Sequence, residues 1–311
     1  MDNVRTLRAR WAAPILAAIA IAPLGALPAA AVPAAPASEP DRSPSAPIQS
    51  YVALGDSYAG GRLIPPQIGV PAGCERSGRN YPTFVAETLG IKDFQDASCA
   101  GPTTTEFFTS PQPVPGGVNP PQFDRLTPDT DLVTLTIGGF DIGFDEILRE
   151  CSTRSPQQPT GTACVDFYDR DGVDVIDGRI EATAADIDAA LAGIAERSPD
   201  ARVLVVGYPT LLPDSGPGCF PELPLSPGDV AYLRGVEKKL NAMLADRADA
   251  ADVEYVDTYT PSIGHDLCTP PGYRWIEGFR PVSPAAPVTF NALGMSQVAR
   301  IVAEAIVDAD D

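Results

Sequence analysis

The stretch Leu132-Val133-Thr134-Leu135-Thr136-Ile137-Gly138-Gly139-Phe140-Asp141 fixes the class of fold. Six residues of almost continuous apolar and β-branched character predict a strand covered on both faces, which is the habit of parallel sheets. Two glycines at its exit let the backbone run close beside a pocket. Upstream, Tyr51–Leu54 is a second short apolar run, and it leaves through Gly55-Asp56-Ser57-Tyr58. Further candidate strands lie at Phe94–Ala97, Arg202–Val206 and Val253–Val256. Helix-period segments separate them at Tyr81–Leu89, Arg179–Glu196 and Asp229–Ala248, and a last one follows at Ala292–Val307. In the 179–196 segment Ile180, Ala184, Ile187, Leu191 and Ile194 fall on one stripe at helical spacing. Strands alternating with helices predict an α/β three-layer sandwich around a mainly parallel five-stranded sheet. The segments 152–178 and 209–227, rich in Pro, Gly and Asp, read as surface loops.

The chain has 311 residues, 44% hydrophobic and 20% charged, with a formal net charge of −19. Such acidity repels nucleic acid and anionic membranes and excludes both as expected partners. The first 31 residues read as a signal peptide: Arg5, Arg8 and Arg10 precede an apolar run from Trp11 to Leu27, and Ala29-Ala30-Ala31 offers a cleavage site. Pro23 and Gly25 interrupt the run, which argues against a stable membrane anchor. Residues 32–49 are proline-rich and read as a linker, with one domain expected over 50–311. Export also fits the six cysteines, an even number in a chain with a secretion signal. Their pairing is open from count alone, and sequential pairing is the simplest.

Ligands of open α/β sheets bind beyond the carboxyl ends of the strands, so the strand exits carry the chemistry. Ser57 stands in the turn after the first strand, where a hydroxyl can face a cleft; the bland alternative is a helix-capping serine. Gly101, in Ser98-Cys99-Ala100-Gly101-Pro102 after the second strand, offers an N–H to a developing oxyanion or is a plain turn glycine. No cofactor is expected, because the chain has no glycine-rich phosphate loop. No metal is expected either. There is no CxxC, the one histidine cannot make a zinc set, and Asp169, Asp171, Asp174 and Asp177 lack an EF-hand pattern.

These three exits, in this order, resemble the secreted actinobacterial branch of the SGNH or GDSL esterases and lipases. The likeness extends to Cys74-Glu75-Arg76-Ser77, Asn80-Tyr81-Pro82, Ala201–Pro209, Gly264-His265-Asp266-Leu267-Cys268, Arg274–Gly278 and Asn291-Ala292-Leu293-Gly294. It implies a flavodoxin-like sheet and disulfides Cys74–Cys99, Cys151–Cys164 and Cys219–Cys268. It further implies a secreted monomer acting on an ester, lipid or acylated small molecule. By position, Ser57 is the nucleophile and Gly101 an oxyanion donor. Two places depart from the pattern. Phe140 stands where the oxyanion asparagine follows the paired glycines. Thr289 stands where the histidine precedes Asn291 by two residues, and Ala286 takes the place of an aspartate. The resemblance therefore implies an ester hydrolase with impaired catalysis, or else a non-catalytic secreted binding or scaffold protein that uses the same cleft for an acyl, lipid or glycan ligand. His265 is the only histidine available as a substitute base, yet the resemblance places it in a rim loop.

Overall fold

In the computed structural model, residues 47–100 and 104–308 are described here; the expected signal peptide, most of the linker and Gly101 lie outside them. Five parallel strands form the central sheet: β1 (Ser50–Gly55), β2 (Asp93–Asp96), β3 (Leu132–Thr136), β4 (Arg202–Val206) and β5 (Glu254–Val256). Their spatial order is β2-β1-β3-β4-β5. The central strand β3 is buried along its whole length, as its apolar run requires, while the edge strand β2 is only partly covered.

Among the described residues seven α-helices accompany the sheet: α1 (Ser57–Gly60), α2 (Tyr81–Leu89), α3 (Phe144–Arg154), α4 (Val165–Tyr168), α5 (Val175–Arg197), α6 (Pro227–Ala250) and α7 (Ala292–Asp308). The chain winds from β1 through α2 toward one edge and from β3 through α5 toward the other. Right-handed crossovers of opposite sense put their helices on opposite faces of a sheet. Accordingly α2 packs on α7 and α5 on α6, and the three-layer expectation is met. Local chemistry sets the helix ends. Asn80 caps α2, with Pro82 in its first turn and Gly90 closing it at φ 70°. Ser226 caps α6 ahead of Pro227, and Asp174 caps α5. The stripe predicted on α5 is real: Ile180, Ile187, Leu191 and Ile194 are buried, with Ala184 packed against the core.

Two segments are more ordered than the sequence implied. The 152–178 region holds the end of α3, all of α4, a small antiparallel pair (Asp169–Arg170 with Val173–Asp174) and the start of α5. A second hairpin pairs Gln112–Val114 with Gly117–Asn119. Disulfides join Cys74 to Cys99, Cys151 to Cys164 and Cys219 to Cys268. Asp174 and Asp177 are engaged in structure, one capping Ile176 N–H and the other paired with Lys239. Among the described residues, no helix is long and apolar enough to cross a membrane, and no cluster of side chains could hold a metal ion.

Between β5 and α7 the chain has little regular structure, so side chains hold it in place. Glu277, 1% exposed, accepts from Arg274 Nη2 at 2.8 Å, Asn291 Nδ2 at 3.0 Å and Val282 N–H at 2.9 Å. Burial alone would raise the Glu277 carboxyl; these donors hold it below the ordinary range instead. Asn291 also donates to Arg274 O and caps α7 through Gly294 N–H. Removing one partner of a buried pair leaves an uncompensated charge, at a cost of about 3–5 kcal/mol. Glu277→Ala is accordingly expected to lower the unfolding free energy by that order in urea titration, with Glu277→Gln losing less.

Candidate active site

Ser57 is placed by a turn that only glycine permits. Gly55 has φ +141°, and a Cβ there would lie 2.3 Å from Thr136 O. Its N–H donates to Gln122 Oε1 at 2.8 Å, Gln122 Nε2 returns a bond to Gly55 O, and Asp56 N–H donates to Thr136 O. The exit of β1 is thereby fastened to the exit of β3. Asp56 then caps α1, with Oδ1 accepting from Tyr58 N–H at 2.7 Å. Ser57 becomes the first residue of that one-turn helix, 2% exposed. Neither its hydroxyl nor its N–H hydrogen-bonds to a described residue.

A tyrosine ties a third strand exit to the first two. Tyr208, just beyond β4, donates from its hydroxyl to Asp56 Oδ2 at 2.6 Å and accepts from Gly139 N–H at 2.9 Å. A Cβ at position 139 would meet the Tyr208 hydroxyl at 3.0 Å, so the second glycine of the pair makes room for this ring. The next residue, half-buried Phe140, lines both the Ser57 cavity and the neighbouring cleft beside Thr105 and Phe108. Asp141 faces away from it, with Oδ1 accepting from Thr105 N–H and Oγ1 at 3.0 Å each.

The opposite wall comes from residues 286–290. Tyr58 donates its hydroxyl to Val288 O at 2.7 Å, and Ala286 N–H donates to Arg62 O. Thr289 is buried, and its hydroxyl is occupied by Ala286 O at 2.9 Å. Ser57, Phe140 and Thr289 therefore meet around one cavity of about 660 Å³, mouth included. Phe144, Leu148, Leu211 and Leu240 give it an apolar wall, and Arg62, Asp145 and Glu237 add polar groups.

His265 is not among the residues lining this cavity. Its ring stacks on Trp275 with centroids 4.7 Å apart, and Nδ1 lies 2.6 Å from Tyr273 O. The structure does not bring the imidazole to Ser57's cavity. Gly101 lies outside the described residues, so its N–H has no described position. Sequence reasoning passed over Tyr208, Asp56 as a buried acid, and Glu237. The first stands in the Gly207-Tyr208-Pro209 triplet after β4, which offered a signal; Glu237 sits mid-helix within no motif.

Burial pushes the Asp56 carboxyl up to about 7, although the bonds from Tyr208 and Tyr58 N–H favour its ionised form. Tyr208 and Tyr58 are themselves raised by burial and then by the charge of Asp56.

Ser57 thus stands at the carboxyl edge of β1, where the strand order reverses between β1 and β3, the usual ligand-binding place of a flavodoxin-like α/β scaffold. Known proteins narrow that class. Residues 53–295 match the GDSL-like Lipase/Acylhydrolase family, and the chain belongs to it. It is 40% identical over 259 residues to Lipase 2 of Streptomyces coelicolor, covering 82% of this chain and 85% of that one. It is 30% identical over 263 residues to an esterase of Streptomyces scabiei, covering 75% and 76%. The extracellular lipase of Streptomyces rimosus superposes with a TM-score of 0.63 at 25% identity, covering 84% of this chain and 99% of that one. Phospholipase A1 from Streptomyces albidoflavus shares the fold at the same TM-score and 23% identity, covering 85% and 100%.

A raised acid stabilises the fold fully below its unfolded pKa, and that contribution is lost as pH rises through the folded pKa. For Asp56 the window runs from about 4 to about 7. Relative to Asp56→Asn, the wild type should lose thermal stability across that window, as melting temperatures measured against pH would read. A constant difference between the two proteins would show that Asp56 does not titrate there.

Proposed function

We propose that this protein is a secreted ester hydrolase-like protein whose Ser57 cavity binds the acyl part of an ester or lipid and turns it over poorly. The observation that carries this reading is the pairing of Thr289 and Phe140 around the Ser57 cavity, which no imidazole lines. A serine hydroxyl needs a proton acceptor to attack a carbonyl, and the Thr289 hydroxyl, which donates to Ala286 O, is far too weak a base to take that proton. Loss of the base of a triad costs on the order of 10⁴ or more in kcat. Loss of one oxyanion donor costs about 10²–10³. Phe140 also sets an aromatic ring where an amide would meet the oxyanion. Ser57 N–H remains as one donor, with Gly101 N–H proposed as a second.

The apolar wall of Phe144, Leu148, Leu211 and Leu240 suits an acyl chain whether or not it is cleaved. This favours a binding role in the same cavity as the second reading. The strongly acidic chain would repel anionic surfaces, which favours a neutral ester over an anionic membrane as its target. Export follows from the reading of residues 1–31, and the relatives include an extracellular lipase. The protein is taken to act as a monomer without cofactor or metal.

Labelling with a fluorophosphonate probe tests the proposal. Slow modification is expected in the wild type and none in Ser57→Ala. The double change Phe140→Asn with Thr289→His should raise both labelling and hydrolysis of a short-chain aryl ester by about 10² or more. His265→Ala should leave the wild-type rate unchanged. Rapid wild-type labelling at Ser57 would sink the claim of impaired turnover.

A further inference from the structure

Glu237 is an acid in the middle of α6 that neither the capping nor the ion pairing of that helix uses. It is 2% exposed and lines the Ser57 cavity beside Leu211 and Leu240. Its Oε1 accepts from Leu211 N–H at 2.7 Å, while Oε2 is buried and has no hydrogen-bond partner among the described residues. Leu212 N–H, the next donor along the chain, also lies close enough to favour the ionised carboxylate, without closing a hydrogen bond of good geometry on Oε2. A buried polar atom without a partner destabilises a fold, and a leucine here would suit a plain hydrocarbon chain better.

We infer that Glu237 is a specificity-determining residue that reads an oxygen substituent, such as a hydroxyl or oxo group, carried on the acyl chain of the ligand. The inference rests on the reading of this cavity as an acyl site. The choice of substituent follows from hydrogen-bond bookkeeping. Burial pushes the carboxyl well above its ordinary range, against the pull of the Leu211 and Leu212 N–H groups, and so favours its neutral form. With Oε1 already accepting, the proton belongs on Oε2, which becomes an O–H donor in need of an acceptor. A ligand oxygen supplies that acceptor; a methylene leaves the donor orphaned. Discrimination of this kind is strong because the penalty falls on the ligand that lacks the group.

Calorimetric titration of the full protein with an unsubstituted fatty acid, and with its positional monohydroxy isomers of equal length, tests the inference. One isomer is expected to bind about tenfold more tightly than the unsubstituted acid, as one hydrogen bond to a buried group provides. Glu237→Gln keeps an N–H donor on the same atom position and should keep the preference. Glu237→Leu should abolish it while binding the unsubstituted acid at least as well as the wild type. Equal binding of every isomer and the unsubstituted acid overturns the inference yet leaves the acyl site standing. So does a hydroxyl preference that persists in Glu237→Leu. Should no fatty acid bind at all, the acyl-site reading falls, and the inference with it. If Glu237→Leu does not fold, the wild-type series and Glu237→Gln still decide.

Discussion

The hydroxyl of Tyr208 is the joint on which the rest of the site depends. It accepts from Gly139 N–H and donates to Asp56 Oδ2, so a single buried oxygen ties together the exits of β1, β3 and β4. Asp56 passes the constraint on, since its other oxygen caps α1 and sets Ser57 as that helix's first residue. Every atom in this chain is satisfied by a partner that is itself buried, and networks of that kind hold a unique geometry. The presentation of Ser57 therefore draws on the sheet exits and not on a base across the cavity. A serine held in this way keeps its position with threonine at residue 289.

The far wall is held by a separate device. Glu277 collects Arg274, Asn291 and Val282, while Glu277 N–H donates to Thr289 O and Val288 N–H donates to Glu277 O. This fixes the backbone of 286–291 independently of what the side chain at 289 does. Thr289 then turns its hydroxyl back onto Ala286 O, and the Tyr58 hydroxyl on Val288 O holds the segment to α1. Two independent frames thus face each other across the cavity. The space between them is lined by Phe140, Phe144, Leu148 and Leu240, with Arg62, Asp145 and Glu237 as its polar groups.

Much of this was legible in the sequence, for physical reasons that also mark where legibility ended. The run from Leu132 to Ile137 could only be a strand buried on both faces. Asn80 with Gly90, and Ser226 with Pro227, are end signals that act within a few residues. Ser57 and Phe140 follow strand exits that gather at one edge, whereas Thr289, far beyond the last strand, was placed by the family resemblance alone. The edge strand was placed one residue late, because partly exposed Asp93–Asp96 carries little apolar signal. Helix α4 and the two-residue strands at 169–174 are too short to show a period. Tyr208 meets Asp56 across 152 residues of chain, and Glu237 meets Leu211 from the middle of a long helix. Contacts of that kind leave no local pattern, so their partners emerge only when the chain is folded.

What the cavity lacks and what it contains bear on each other. Asp56 and Glu237 are both fully buried acids beside Ser57's cavity, and each is raised by loss of solvent. Ester cleavage through Ser57 would build a negative charge on the substrate oxygen in this same low-dielectric space, where like charges repel far more strongly than in water. An oxyanion hole offsets that repulsion with several aimed donors. Here Phe140 supplies none, and Glu237, as long as it stays neutral, adds no charge of its own. Burial thus raises both acids in the same space where ester cleavage would build negative charge, which supports the proposed preference for holding a ligand over cleaving it.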